Sequence, residues 1–471
     1  CRSREAGHPS HSFLFDPTYV VACRRPRGDR YCVSHRAKGQ RRMWSIPIID
    51  GPVPWIVYTV ALAFFLVLLI RRPTTRWVLT ALLALLVGAL VGLGIGLLID
   101  ATDLFGADPL PMPVLWWAAA TFAAIGLAVA NLWRSPLWRK IVAIVGIVVF
   151  AIAGGIGINT VYGLNPTLGS VFGIVDDNPI VVPTNTATAD PDAGPLYETF
   201  TPPADMPAKG QQGTQVIPAT ASGFNARAAG IYLPPAALVP NAPALPLVIM
   251  MMGHPGNPDP SAIAGVLDDF AAKNKGLAPI VVVPDQLGPD GNDPACADSK
   301  AYGNAETYVT KDVVAWATQN LHIIQDPKYW VIAGYSNGGG CAVKYLAKYP
   351  DQWKNLIDIS GEPFPGSEDP GSVTSTIYGG DTAAFEAAKP IAIMQAAPAG
   401  TYDGMTAVFT AGAQDPTYIQ AAKDVSGEAQ AVGMTVTYYE VPGAGHVGDA
   451  LTGGLQEGFT VMYPVLGLSA K

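Results

Sequence analysis

The sequence predicts a four-helix transmembrane bundle near the amino-terminal end, followed by an α/β domain with a mostly parallel sheet and helices on both faces. Three observations support this fold class. Four long apolar runs occur within residues 43–163, and strand-like segments alternate with helix-like segments within residues 213–471. Between one such strand and helix stands the segment GYSNG at residues 334–338, which matches the pattern G-x-S-x-G.

Residues 1–42 differ in composition from the rest of the chain. They contain ten Lys or Arg, three Asp or Glu, three of the five cysteines, and no apolar periodicity. We interpret them as an upstream extension that precedes a start at Met43, and we expect them to be disordered. A metal knuckle is disfavoured because Cys23 and Cys32 lack the paired C-x2-C spacing.

Four apolar runs define the predicted bundle, at residues 55–70, 77–99, 114–133 and 141–161. Each is near the length that crosses roughly 30 Å of hydrocarbon, and none contains an internal charge. Without ionisable residues inside these runs, ion or proton transport is not indicated. We therefore interpret residues 43–163 as a multi-pass anchor in the plasma membrane, with the lipid bilayer as its partner.

The charges of the connecting loops predict the orientation of the bundle. The second loop contains three aspartates and no basic residue, whereas the first and third loops are basic. Their basic residues are Arg71, Arg72, Arg76, Arg134, Arg139 and Lys140. By the positive-inside rule the first and third loops are cytoplasmic, which places everything after residue 163 outside the cytoplasm.

Residues 164–212 are rich in Pro, Thr, Asp and Gly, and they predict an extended linker between the bundle and the α/β domain. Residues 164–471 contain thirteen Lys or Arg and thirty Asp or Glu, a net charge of −17. Such an acidic region would repel polyanions, so no nucleic acid is expected as a partner.

Residues 213–471 contain the strand and helix patterns of the α/β domain. Two early strands, 214–219 and 226–233, predict a hairpin, and helices are predicted at 261–273 and 306–321. Further strands are predicted at residues 246–252, 279–284, 330–333, 355–359, 391–394, 406–410 and 435–441. Strands that alternate with helices indicate a parallel sheet covered on both faces.

Ser336 occupies the position of a nucleophile in the G-x-S-x-G pattern. The apolar run 330–333 precedes it and a helix-like segment, 337–348, follows it, as the strand–turn–helix context of this motif requires. Glycines two residues before and two residues after it keep Cβ atoms out of the strand–helix crossing. The hydroxyl would then project away from the sheet.

A serine hydroxyl needs an adjacent base that is held in the correct tautomer. His446 is the favoured base, because it follows the last predicted strand in the glycine-rich sequence PGAGH. His322 lies at a helix end, where a structural role is expected, and His254 lies in the loop after an early strand.

The acid that orients the imidazole is predicted to be Asp415, which follows strand 406–410 in the sequence GAQD. Asp358 and Glu362 come too soon after the nucleophile, and Asp403 precedes the strand. The resulting order Ser…Asp…His is that of α/β-hydrolases and differs from that of trypsin-like and subtilisin-like enzymes.

Two backbone N–H groups are expected to bind the oxyanion that forms when a hydroxyl attacks a carbonyl. One belongs to Asn337, directly after the nucleophile at the start of the following helix. The other should come from the loop after strand 246–252. Pro255 has no N–H there, so His254 is preferred over Gly256.

Five sequence motifs carry a family resemblance: MMGHPG, ETYVTKDVVAWA, GYSNGGG, GAQD and PGAGH. With them the α/β domain resembles the "Putative esterase" branch of the α/β-hydrolase superfamily, which includes esterase-D-like enzymes and mycolyltransferases of the antigen 85 type. The three consecutive glycines and the cysteine after the nucleophile depart from the mycolyltransferase pattern. The resemblance covers the α/β domain and none of the membrane part.

The resemblance implies a serine esterase that forms an acyl-enzyme on an ester substrate and needs no cofactor. With its transmembrane helices, the chain is also similar to membrane-anchored esterases of Gram-positive and actinobacterial envelopes, some of which hydrolyse aminoacyl-phosphatidylglycerol. A lipid or cell-envelope ester is therefore the expected substrate. Acyl transfer by the same three side chains and a catalytically inactive binding module are the alternatives.

Cys296 and Cys341 are the only cysteines after Met43, and both fall in the predicted oxidising compartment. A disulfide between them would fix the loop of Cys296 beside the nucleophile, while two separate buried thiols are the alternative. No metal-ligand spacing occurs in the sequence, so no metal site is predicted.

Overall fold

A computed structural model describes residues 19–24, 31–36, 44, 46–49, 51–102, 110–162, 167–171, 178–182, 194–289 and 291–470. Within residues 1–42, strand β1 (Tyr19–Arg24) pairs antiparallel with β2 (Tyr31–Arg36). These two strands are the described part of the predicted extension, and the expectation of disorder for residues 1–42 stays a prediction. The rest of residues 1–42 lies outside the described residues.

Four long helices form the bundle: α1 (Pro52–Leu69), α2 (Thr75–Ala101), α3 (Met112–Ala130) and α4 (Leu137–Tyr162). All four are long and apolar enough to cross a membrane, which confirms the predicted helices. Leu68, Leu127 and Phe150 pack inside, while many of the other large apolar side chains are exposed. A bundle that keeps an apolar exterior is suited to a lipid surrounding.

A buried arginine closes one end of the bundle. The guanidinium of Arg139, at the start of α4, donates to the carbonyl oxygens of Val67 (2.9 Å), Leu68 (2.9 Å) and Ile70 (3.2 Å). Its Nε also donates to Asn131 Oδ1 at 3.2 Å. Carbonyls at a helix end have no partner within the helix, so Arg139 satisfies the end of α1.

The described residues from 167 onward contain ten strands and eleven α-helices, most of which form the α/β domain. The strands are β3 (Gln211–Gln215), β4 (Ala229–Leu233), β5 (Leu247–Met251), β6 (Ile280–Val283), β7 (Asp298–Ser299), β8 (Gly303–Asn304), β9 (Trp330–Tyr335), β10 (Asn355–Ile359), β11 (Thr406–Gly412) and β12 (Thr435–Val441). The helices are α5 (Leu168–Val171), α6 (Leu196–Thr199), α7 (Ser261–Lys273), α8 (Ala305–Thr307), α9 (Val314–Asn320), α10 (Asn337–Lys348), α11 (Pro370–Thr376), α12 (Thr382–Ala387), α13 (Pro390–Ala396), α14 (Pro416–Ala431) and α15 (Asp449–Val465). A π-helical segment, Tyr308–Val313, joins α8 to α9.

The eight-stranded sheet has the order β12-β11-β10-β9-β5-β6-β4-β3. Neighbouring strands from β12 through to β6 pair in parallel, whereas β4 and β3 are antiparallel additions at one edge. Strand β9 lies between β5 and β10 in the middle of the sheet, and its residues Trp330–Gly334 are buried or nearly so. This position places the end of β9 at the centre of the carboxyl edge.

Successive side chains of β10 show that helices cover both faces of the sheet, as expected from strand geometry. Ile357 and Ile359 face α15, where a Cβ on Gly454 or Gly458 would meet them at 2.7–2.8 Å. Asp358 points the opposite way and faces α10. The predicted fold class, a four-helix apolar bundle followed by an α/β domain with a mostly parallel sheet, is confirmed.

Two strand predictions need correction. Residues 391–394 lie in helix α13, not in a strand. A four-residue apolar run fits a buried helix as well as a strand, and Pro390 at the first helical position favours the helix. The first strand of the early hairpin is β3, Gln211–Gln215, and lies upstream of the predicted 214–219, where Pro218 cannot donate to a ladder.

Candidate active site

Ser336 lies at a sharp turn between β9 and α10, and its φ of 55° is in the left-handed region that side chains seldom adopt. A Cβ on Gly334 would lie 1.8 Å from the carbonyl oxygen of Gly338, and one on Gly338 would lie 2.2 Å from that of Met251. Only glycine fits at these two positions. The turn therefore has the strained backbone of a nucleophile elbow.

Two side chains from distant segments meet at Ser336. His446 Nε2 lies 3.0 Å from Ser336 Oγ, and His446 Nδ1 lies 2.9 Å from Asp415 Oδ2. The three residues follow β9, β12 and β11, whose carboxyl ends share one edge of the sheet because the strands are parallel. The structure thus brings together the three side chains that the sequence predicts as nucleophile, base and acid.

Asp415 has a second role as the N-cap of α14. Its Oδ1 accepts a hydrogen bond from the main-chain N–H of Tyr418 at 3.3 Å, which leaves Oδ2 for the imidazole. The Asp415 side chain is 4% exposed, whereas that of His446 is 23% exposed. The carboxylate is therefore sheltered from water while the imidazole stays within reach of a substrate.

One predicted oxyanion donor, Asn337, directly follows Ser336, and the other, His254, follows a glycine that packs against Ser336. Asn337 is the first residue of α10, so its N–H has no partner within that helix. Gly253, directly before His254, packs against the nucleophile, because a Cβ there would lie 3.2 Å from Ser336 Cβ. The imidazole of His254 instead lies 3.0 Å (Nε2) from the carbonyl oxygen of Gly291.

Cys296 and Cys341 form a disulfide that joins the loop after β6 to helix α10. Their Cα atoms are 5.4 Å apart, and both residues are buried. The Nζ of Lys344, one turn further along α10, donates to the Cys296 carbonyl at 2.8 Å. The loop is therefore attached to the helix of the nucleophile by a covalent bond and a hydrogen bond.

Comparison with known families gives one match to the α/β domain. Residues 225–440 match the family described as "Putative esterase". These residues make up most of the α/β domain. The match supports a carboxylic ester hydrolase that acts on an ester substrate, and we call the α/β domain the esterase domain from here on.

One relative is similar to this chain over most of its length. An uncharacterized protein of Corynebacterium glutamicum is 29% identical over 421 residues, which cover 85% of this chain and 93% of the relative. Solved structures similar to the esterase domain include a ferulic acid esterase (15% identity, TM-score 0.45, 55% of this chain and 99% of that one). Another is an S-formylglutathione hydrolase from Agrobacterium tumefaciens (17% identity, TM-score 0.45, 56% and 97%).

The esterase domain buries two carboxyl groups near the nucleophile that sequence reasoning considered only as alternative acids. Neither is the partner of the imidazole, a position that Asp415 occupies. Burial raises the pKa of Asp358 to about 8. Burial, with smaller effects from the charges of Asp293 and Glu368, raises the pKa of Glu362 to about 8.

Glu362 supports the segment that follows the nucleophile. Its Oε1 accepts a hydrogen bond from Asn337 Nδ2 at 3.3 Å, and its Oε2 accepts one from the N–H of Gly366 at 2.7 Å. Its own N–H donates to the Ser336 carbonyl at 3.2 Å. The residue therefore holds the carbonyl of Ser336 and the side chain of Asn337.

Two tyrosines that the sequence analysis did not single out contact the imidazole of His446. The rings of Tyr335 and Tyr418 lie against that of His446. Tyr335 could have been noticed as the residue before Ser336, but no local signal marks Tyr418.

The remaining candidates lie apart from this contact network. Asp403 lies before β11, where it packs against Gly400 and Gly433, away from the carboxyl edge. The carbonyl of His322 accepts a hydrogen bond from Leu245 N at 3.1 Å, which is a structural role. Within the part of the chain that the structure describes, no group of three or more His, Cys, Asp or Glu could hold a metal ion.

Proposed function

We propose that this protein is a membrane-anchored, extracytoplasmic serine esterase that hydrolyses a lipid or cell-envelope carboxylic ester. One observation carries the catalytic part of the proposal. An unbroken chain of hydrogen bonds runs from Ser336 Oγ through His446 to Asp415, with distances of 3.0 and 2.9 Å. Such a chain activates a hydroxyl whose own pKa would leave it a weak nucleophile.

In the proposed reaction, Ser336 Oγ attacks the ester carbonyl while His446 Nε2 accepts the hydroxyl proton. The tetrahedral intermediate then collapses, the bond to the leaving alcohol breaks, and His446 returns the proton to that alcohol. A water molecule attacks the acyl-enzyme in the second half, and its proton passes to His446. The second tetrahedral intermediate then collapses, the bond to Ser336 Oγ breaks, and His446 returns the proton to Oγ, which releases the carboxylic acid and restores the hydroxyl.

Asp415 holds the imidazole with Nε2 free to accept a proton and stabilises the imidazolium that forms. The backbone N–H groups of Asn337 and His254 are proposed to bind the oxyanion. The position of Asn337 at a helix N-terminus and of Gly253 beside Ser336 supports this assignment. Pre-oriented donors of this kind supply a large share of the rate enhancement in acyl transfer.

The proposed location and substrate rest on the bundle. Four helices that can cross a membrane, with basic first and third loops, support a domain held at the outer surface of the plasma membrane. Anchoring raises the effective concentration of the enzyme toward esters in or near the bilayer. The net charge of −17 over residues 164–471, from thirteen basic and thirty acidic residues, favours esters with cationic groups.

Fluorophosphonate labelling of intact cells tests nucleophile and location together. A membrane-impermeant probe should label the wild-type protein without lysis, and Ser336→Ala should abolish the label. Ser372→Ala, a change at an exposed serine on α11, is the matched control and should keep it. A label that survives Ser336→Ala would contradict the proposed nucleophile, and labelling only after lysis would contradict the location.

Product analysis tests the substrate class. Cells that lack the protein should accumulate one envelope ester, and the purified protein should convert that ester to its alcohol and acid. Adding an acceptor alcohol separates hydrolysis from acyl transfer. A product mixture dominated by the new ester would favour the alternative function. In the same assay, equal kcat/KM for alanyl or lysyl esters and for neutral acyl esters would remove the preference for cationic groups.

A further inference from the structure

The imidazole of His446 is in contact with two tyrosine rings, here called the aromatic pair. The ring centroid of Tyr418 lies 3.9 Å from that of the imidazole, with an interplanar angle of 32°. The ring centroid of Tyr335 lies at 5.6 Å, with an angle of 25°. The Tyr418 contact is close and tilted, whereas the Tyr335 contact is stacked at a longer distance. The proposed mechanism gives neither ring a role.

Tyr335 connects the strand of the nucleophile to the loop of the base. It is the last residue of β9, directly before Ser336, and its hydroxyl donates to the main-chain carbonyl of His446 at 2.7 Å. Burial, followed by the charge of Asp415, raises the pKa of Tyr335, so the phenol remains a protonated donor. The ring and the hydroxyl therefore act on the same histidine, one on its side chain and one on its backbone.

Tyr418 connects the acid to the base in a similar way. Its main-chain N–H holds Asp415 Oδ1 at the start of α14, and its ring lies against His446. The residue is 5% exposed, so its position is fixed by packing. One turn of helix thus presents both the carboxylate and an aromatic face to the imidazole.

We propose that the aromatic pair, Tyr335 and Tyr418, consists of positioning residues that align the His446 imidazole with Ser336 Oγ and stabilise it when it becomes a cation. The face of an aromatic ring attracts a cation more strongly where water is excluded. The imidazole is a cation while the tetrahedral intermediate exists, so the attraction is greatest at that stage. An interaction that strengthens only there raises the rate of the acylation step.

The inference rests on the proposed function, and its test uses the full-length protein in detergent micelles. Tyr418→Leu and Tyr335→Leu remove an aromatic ring, whereas Tyr418→Phe keeps it. Tyr438→Leu is the control, since this partly buried tyrosine of β12 contacts Lys423 and Glu440. Fluorophosphonate titration counts active sites, so that each kcat/KM refers to folded, competent enzyme.

Two esters of one acyl group give the decisive readout: a 4-nitrophenyl ester, whose leaving group departs without a proton, and an alkyl ester, whose leaving group must be protonated. We expect Tyr418→Leu to lower kcat/KM per site roughly 5- to 30-fold on the alkyl ester, and less on the nitrophenyl ester. Tyr335→Leu should behave similarly. Tyr418→Phe and Tyr438→Leu should stay within about 2-fold of wild type on both esters.

Three results would overturn the aromatic pair. They are an unchanged kcat/KM for both leucine variants, an equal loss on the two esters, and a loss in Tyr418→Phe as large as in Tyr418→Leu. A wild-type protein that hydrolyses neither ester and takes no label would instead overturn the proposed function, and the role of the pair with it. Activity of the wild type separates the two cases.

Discussion

Asp415 and His446 are joined by a 2.9 Å hydrogen bond whose carboxylate is itself held by the N-terminus of α14. One oxygen of Asp415 therefore serves the helix and the other serves the imidazole. The local sequence needs an N-cap at this position, and the proposed mechanism needs an acid, so one residue would meet both demands. The two roles can be separated by substitution.

Asp415→Asn should separate them, because Asn and Asp are equally good N-caps. We expect the unfolding temperature to stay close to wild type while kcat falls roughly 10³–10⁴-fold, since an amide favours the wrong imidazole tautomer. Asp415→Ala should lose the cap as well and be less stable by about 1 kcal/mol. Ester hydrolysis and thermal unfolding of the same preparations measure the two effects. Near-wild-type kcat in Asp415→Asn would contradict the role assigned to the acid.

Gly338→Ala should distort the nucleophile turn, because its Cβ would lie 2.2 Å from the main-chain oxygen of Met251, which has no freedom to move away. We expect a loss of about 1–3 kcal/mol in the free energy of unfolding and loss of fluorophosphonate labelling. Gly427→Ala in α14 is the matched control. A Cβ there meets nothing within 4 Å, so this change should stabilise the helix by about 0.5–1 kcal/mol. Rapid fluorophosphonate labelling of Gly338→Ala would contradict this prediction, because it would show that the backbone relieves the crowding against Met251.

The sequence predicts those parts of the site that follow from local context. A strand–turn–helix pattern marks Ser336, and a position directly after a strand marks Asp415 and His446, because parallel strands bring such positions to one edge. The contacts of Tyr418 with His446 depend on the twist of the sheet and on the helix direction. No periodicity within a single segment encodes these.

The same limit explains the helix at residues 391–394. A run of Ile, Ala, Ile and Met satisfies the pattern of a buried strand as well as that of a helix. The pairing of the sheet strands decides between a strand and a helix here. Because β11 pairs directly with β10, no further strand can lie between β10 and β11. The intervening chain crosses the face of the sheet as helices instead.

Asp358→Asn should change how stability depends on pH. Burial raises the pKa of Asp358 from 3.8 to about 8. Between pH 3.8 and about pH 8, the folded state therefore keeps a proton that the unfolded state has lost. The unfolded state binds fewer protons there, and this group therefore lowers stability as pH rises from about 4 to about 8. This carboxyl group contributes at most about 1.4 kcal/mol per pH unit to the slope of the unfolding free energy against pH.

The asparagine variant has no such proton and should lack this part of the slope. Thermal unfolding of the wild type and Asp358→Asn at several pH values measures the difference. We expect the stability of the variant relative to wild type to rise steadily from pH 4 to pH 8 and then to level off. A constant difference across this range would show that Asp358 titrates alike in the folded and unfolded states.

Reduction of the Cys296–Cys341 disulfide should destabilise the esterase domain by about 2–4 kcal/mol, because the bond closes a segment with a sequence separation of 45. Both cysteines are buried, so a reductant should act mainly on protein that opens transiently. We expect the unfolding temperature of the wild type to fall in reductant, and that of the double variant Cys296→Ala/Cys341→Ala to be low and insensitive to it.

Because Cys341 lies on the helix that begins at Asn337, labelling of Ser336 should also slow. A wild-type unfolding temperature that is the same with and without reductant, in samples shown by thiol titration to be fully reduced, would contradict a stabilising role of the bond.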